Sequence, residues 1–97
     1  MAGRLKVEWA SRAVHDVDRI LAFIRKNWSE GHADRFLDQL AAFEELISRW
    51  PRGFKRSQKR KSYRLGLVHR HTTAVYKVHK DRIVIITVFD NRSDRVL

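Results

Sequence analysis

The stretch Thr72-Thr73-Ala74-Val75-Tyr76-Lys77-Val78, the reversal around Lys80-Asp81 and the run Arg82-Ile83-Val84-Ile85-Ile86-Thr87-Val88-Phe89 decide how the rest of the chain must fold. In the first segment Ala74, Tyr76 and Val78 alternate with Thr73, Val75 and Lys77, the two-residue period of a β-strand. The second is apolar at nearly every position, which predicts a central strand covered on both faces. Upstream, Tyr63 to Val68 has the same β-branched and aromatic bias, so three antiparallel strands occupy the end of the chain. Such a sheet needs a layer to cover it, and the first half supplies one.

There, Ala13, Val14, Val17, Ile20, Leu21, Ile24 and Trp28 fall at three-and-four spacing, predicting a helix over 12–27 with Ser11 as its cap. After the polar break Ser29-Glu30-Gly31 the stripe resumes at Ala33, Phe36, Leu37, Leu40, Phe43, Ile47 and Trp50, and Pro51 with Gly53 ends it. The short connection predicts an antiparallel helical hairpin. Leu5, Val7 and Trp9 alternate with Arg4, Lys6 and Glu8 in a first strand over 4–9. The predicted order is β-α-α-β-β-β, an α+β fold with a helical hairpin packed on an antiparallel sheet, in a single domain over residues 1–97. Trp28 and Trp50 are expected to fill the core, though an exposed tryptophan there could anchor a partner.

Charge is divided unevenly along this framework. The 97 residues carry 21 Lys+Arg against 11 Asp+Glu, a formal net charge of +10. Up to Trp50 eight basic and eight acidic residues cancel, so the whole excess lies beyond Pro51, where thirteen bases face Asp81, Asp90 and Asp94. Seven cations, Arg52, Lys55, Arg56, Lys59, Arg60, Lys61 and Arg64, follow one another with no acid between them. Such a run repels itself unless a polyanion or an acidic protein neutralises it. It lacks the apolar stripe of a membrane-surface helix, so no membrane partner is expected. No apolar leader is visible at the start of the chain, which predicts a cytoplasmic protein.

Several chemistries drop out. With no Cys there is no thiolate nucleophile and no Cys-ligated metal. No Gly-rich phosphate loop, His-Glu-x-x-His or serine elbow is present, and no cofactor is expected. His69 and His71 share a strand face, but two imidazoles with no nearby acid do not make a metal site. A metal-independent phosphodiesterase would need a base and an acid beside cations on the phosphate. Guanidinium does not titrate, so His71 or a lysine of lowered pKa is the candidate base beside Arg64 and Arg92, and an ordinary sheet histidine is the plainer role for His71. On this reading the three final strands form a cation-bearing platform that is the working surface.

The segments Tyr63-Arg64-Leu65, Thr73 to Val78 and Ile83 to Phe89, with the exit Asp90-Asn91-Arg92-Ser93-Asp94, resemble the RelE/ParE superfamily of type II toxins. Ser11-x-Ala13, Asp16, Ile20 to Ile24, Ala33, Phe36, Leu40, Leu46 and Trp50-Pro51 with Gly53 are similar to its helical hairpin, so the likeness spans the chain. The resemblance implies a toxin neutralised by a cognate acidic antitoxin. It implies either a ParE-like inhibitor of DNA gyrase or a RelE-like ribosome-dependent, metal-independent mRNA endoribonuclease. Arg64 and Arg92 stand where the family's sheet arginines stand, and Lys55, Arg56, Lys59, Arg60 and Lys61 stand for its basic loop. After Asp94 come Arg95, Val96 and Leu97, without the Tyr or His that RelE-like nucleases often carry, which favours the ParE-like side. A non-toxic basic nucleic-acid-binding module is the third reading.

Overall fold

The structure is a computed structural model that describes residues 4–91. It contains β1 (Lys6–Trp9), α1 (Ser11–Asn27), α2 (Glu30–Arg49), β2 (Tyr63–His69), β3 (Thr72–Val78) and β4 (Arg82–Asp90), the predicted order. Both helices lie on one face of a four-stranded sheet ordered β1-β4-β3-β2. β2, β3 and β4 are antiparallel neighbours, whereas β1 runs parallel to β4, so the sheet is mixed. The long apolar β4 has two edges to satisfy, and β1 covers the one that β3 leaves open.

Two helix starts differ from expectation. Ser11 is the first residue of α1 and gives no side-chain cap; Ala10 occupies the cap position, its own N–H donating to Ile85 O at 2.9 Å. In α2 the polar break is itself the cap, since Ser29 Oγ accepts the His32 N–H at 3.2 Å and the helix begins at Glu30, earlier than Ala33. The hydroxyl satisfies one of the orphan donors of the first turn.

The core brings Ala13, Phe43 and Ile47 of the helices onto Ala74, Tyr76, Ile83, Ile85 and Val88 of the sheet. A second cluster, Leu21, Ile24, Ala33, Phe36 and Leu40, fills the hairpin itself. β4 is central, as predicted, but the helices cover only one of its faces, and Val84 and Ile86 on the strand are half-buried. Its unbroken apolar run has another cause. Tyr76 pairs with Ile85 and Val75 with Thr87, so Ile86 is an extra residue that resets the alternation. Ile85 and Val88, three apart, therefore both reach the helix-side core.

Asp16 pins α1 to this irregular point. It is 3% exposed; its Oδ2 accepts the Thr87 hydroxyl and, at 3.1 Å, the Val88 N–H, while Oδ1 takes the Arg19 guanidinium at 2.7 Å. Burial pushes the carboxyl's pKa up, but the donors from Thr87, Val88 and Arg19 outweigh it and hold it below its ordinary value. Gly66 is demanded by close approach, because a Cβ there would stand 2.5 Å from the Phe43 ring. Trp28 and Trp50 do not fill the core: they are 59% and 65% exposed, because each lies at a helix end where the stripe runs past the edge of the sheet.

A cationic cleft at one end of the sheet

The chain from Pro51 to Ser62 folds back along the free edge of β2. Ser57 N–H donates to Tyr63 O at 2.8 Å, Leu65 N–H to Lys55 O at 3.1 Å, and Arg56 bridges to Arg64 as an antiparallel partner. Ser57, 1% exposed, accepts the Arg60 N–H on its hydroxyl at 3.2 Å. Main-chain hydrogen bonds and one buried serine thus hold a segment whose charges repel.

Arg64 fastens the same segment from within. Its Nη1 donates to Phe54 O at 2.7 Å and more distantly to Arg52 O at 3.5 Å, and Tyr76 OH donates to Pro51 O at 2.9 Å. Burial raises the Tyr76 pKa above its ordinary value, with Arg64 and a Phe54 backbone hydrogen bond opposing, so the phenol stays a proton donor at neutral pH.

The outcome is an open cleft of about 350 Å³ lined by Arg52, Arg56, Lys61, Ser62, Arg64 and Lys77. None of its five cations has a carboxylate partner among the described residues. Cations gathered without acids make a site for phosphate or carboxylate groups, the arginines offering planar forks and the lysines point charges. Three predicted residues meet here, Arg56, Lys61 and Arg64. Lys55, Lys59 and Arg60 belong to the same loop but are exposed outside the cleft, and Arg60 lies over the Tyr63 ring at 5.7 Å. Lys77 was not singled out from sequence; only the Tyr63–Lys77 pairing carries it to the loop. The predicted platform is therefore a pocket at one sheet end. Arg64 pairs with Tyr76 and shares its helix-side face, and Arg82 at the start of the central β4 is bound to Glu8 and Asp81.

His71 is not part of it. It follows β2 at the far end, where its N–H donates to His69 Nδ1 at 3.3 Å. His69 is five positions along the strand from Arg64, roughly 16 Å at about 3.3 Å per residue. The structure thus places His71 and Arg64 in separate clefts at opposite ends of β2 rather than side by side. Arg92 lies outside the described residues. Among the described residues there is no group of three or more His, Asp or Glu able to hold a metal, and no helix is long and apolar enough to cross a membrane.

No curated protein matches the chain in sequence. Among solved structures, the chromosomal ParDE TA system from P. aeruginosa superposes with a TM-score of 0.77 at 15% identity, covering 92% of this chain and 98% of that one. The YoeB dimer from Staphylococcus aureus gives 0.64 at 16%, covering 90% and 97%, and the E. coli DinJ-YafQ toxin-antitoxin complex gives 0.63 at 14%, covering 90% and 92%. These likenesses establish a shared fold. A family model, the ParE toxin of the type II toxin-antitoxin system parDE, matches residues 7–95, nearly the whole chain. A helical hairpin on a mixed sheet and a match of that extent lead to one conclusion: the chain belongs to the ParE toxin family of type II toxin-antitoxin systems.

Proposed function

We propose that this toxin acts by binding rather than by cleaving, as an inhibitor of DNA gyrase, and that a cognate acidic antitoxin neutralises it. The observation that carries the reading is the make-up of the cleft: five cations and a serine, with no imidazole or carboxylate beside them among the described residues. Such a lining grips anionic groups, and its two lysines have no described imidazole or carboxylate beside them to complete an acid–base pair. An acidic partner fits the same charges, and the groove between the helices, where Val14 and Leu37 are 47% and 39% exposed, offers its apolar side a seat.

The cleft also favours a second reading, a ribosome-dependent nuclease in which Arg64 and Arg92 hold the mRNA phosphate. One experiment separates them. Purified toxin is added to a gyrase supercoiling reaction and to cell-free translation; loss of supercoiling with normal protein synthesis supports the gyrase reading, and the reverse overturns it. Copurification with an acidic protein encoded beside it tests the antitoxin, and recovery of the toxin alone counts against it.

A further inference from the structure

A second cleft opens at the opposite end of β2. It measures about 550 Å³ and lies between the tip of the helical hairpin and the β2–β3 turn. Its floor is apolar, from Ile24 and Phe36, and Trp28 stands at its side. The Trp28 ring has two ring neighbours although most of it faces water: it meets Phe23 edge-on at 6.0 Å and 81°, and tilts against His32 at 5.8 Å and 44°. A ring already packed against neighbours has less freedom to lose on binding a flat partner.

Around this ring are the cations. Arg35 and Arg70 line the cleft, and neither has a carboxylate partner among the described residues. Asp90 lines the adjoining recess rather than the cleft itself. His69 accepts the His71 N–H on Nδ1 at 3.3 Å, which sets the orientation of its ring in the cleft wall. Ser29 Oγ, already accepting the His32 N–H, lies 2.7 Å from His32 Nδ1 and can give that nitrogen its own proton, which leaves Nε2 as the donor. The Gln39 amide adds one donor and one acceptor group to the wall.

A planar apolar surface, an amide able to pair with a ring edge, and paired guanidinium groups with an imidazole donor together suit a base joined to a phosphate. We propose that this cleft binds a nucleoside phosphate, as a free nucleotide or as one unit of a single strand, with the base stacked on Trp28 and the phosphate held by Arg35 and Arg70. An aromatic platform in a cationic groove is the general device for single-stranded nucleic acid. The proposal concerns a site separate from the Arg52–Lys77 cleft and stands whether or not gyrase is the target.

The test is fluorescence anisotropy of a labelled eight-residue oligoadenylate with the full chain. Trp28→Leu should weaken binding roughly 10- to 100-fold, the converted cost of one lost base stack. Trp28→Phe should keep most of the affinity, and Arg70→Ala should weaken binding and flatten its salt dependence. Trp28 and Arg70 are exposed, and unchanged circular dichroism and melting of each variant verify the fold. Displacement of the label by AMP, but not by adenosine or inorganic phosphate at equal concentration, assigns a free nucleotide; displacement only by unlabelled oligoadenylate assigns a strand. Parent-like affinity of both Trp28→Leu and Arg70→Ala overturns the proposal. So does a Glu-rich, Phe-containing peptide that binds in a Trp28-dependent way while neither nucleotide nor strand does. Trp28→Leu measured in the supercoiling reaction keeps the two sites distinct, since that variant should inhibit gyrase as the parent does.

Discussion

The helical hairpin and the Pro51–Ser62 segment carry charge in opposite ways. In the hairpin, three bases meet acids: Arg49 shares Glu45 with Arg4 of the preceding segment at 2.7 and 3.0 Å, Arg25 meets Glu30 at 3.0 Å, and Arg19 meets Asp16 at 2.7 Å. In the segment at the sheet end, cations meet backbone carbonyls, a tyrosine ring or water. Charge spent in internal pairs leaves nothing for a partner, while charge held by the main chain stays available at its full value. The paired charges of the first region build the toxin, and the second region, with Arg35 at the far cleft, is what it presents.

That contrast can be broken at Asp16 with the largest expected effect. Asp16→Ala strands the Thr87 hydroxyl and Val88 N–H in a buried place and should cost about 2–4 kcal/mol in urea unfolding. Parent stability would mean that the α1–β4 clasp is not structural. The same carboxyl gives a pH signature: its pKa is lower folded than unfolded, so its contribution is complete above the ordinary value of 3.8 and disappears as pH falls below it. A urea midpoint series from pH 5 to pH 2 should show this loss, and Asp16→Asn should remove that component.

Next comes the cationic side. Reversing Arg56 and Lys61 together to Glu should weaken target inhibition by about 30-fold or more, the effect of losing a hot spot. Reversing Arg25 in the hairpin should change it less than about 2-fold. Equal effects would erase the division between building and presenting charge. Gly66→Ala tests the packing beneath the cleft: the added methyl must displace the Phe43 ring, for about 1–3 kcal/mol lost in thermal or urea unfolding. Smallest of all, Arg49→Ala removes an exposed pair and should change stability by less than about 0.5 kcal/mol by the same measurement.

Much of the fold was legible from periodicity alone. Helix stripes at Ala13 to Ile24 and Ala33 to Ile47, and β alternation at Ala74, Tyr76 and Val78, report which face of each element is buried, because burial selects side chains one face at a time. The helix starts were legible less well: Ser11 and Ser29 are equally good caps by type, yet only Ser29 has the extended backbone and the facing N–H that capping needs. The tryptophans misled for a related reason, since a stripe gives direction and not how far the covering sheet reaches.

The candidate cleft was half legible. A run of cations without acids is visible as text, but Lys77 joins it only through pairing with Tyr63, and His71 leaves it because the strand carries it away. Sequence by itself determined the elements, their order and the confinement of net charge to the second half, all local or compositional properties. Tertiary structure alone decided the parallel seating of β1, the reset at Ile86 and which cations converge. Those depend on register between segments far apart in the chain, and a shift of one residue in register exchanges every side chain's neighbours without altering the pattern that can be read along the chain.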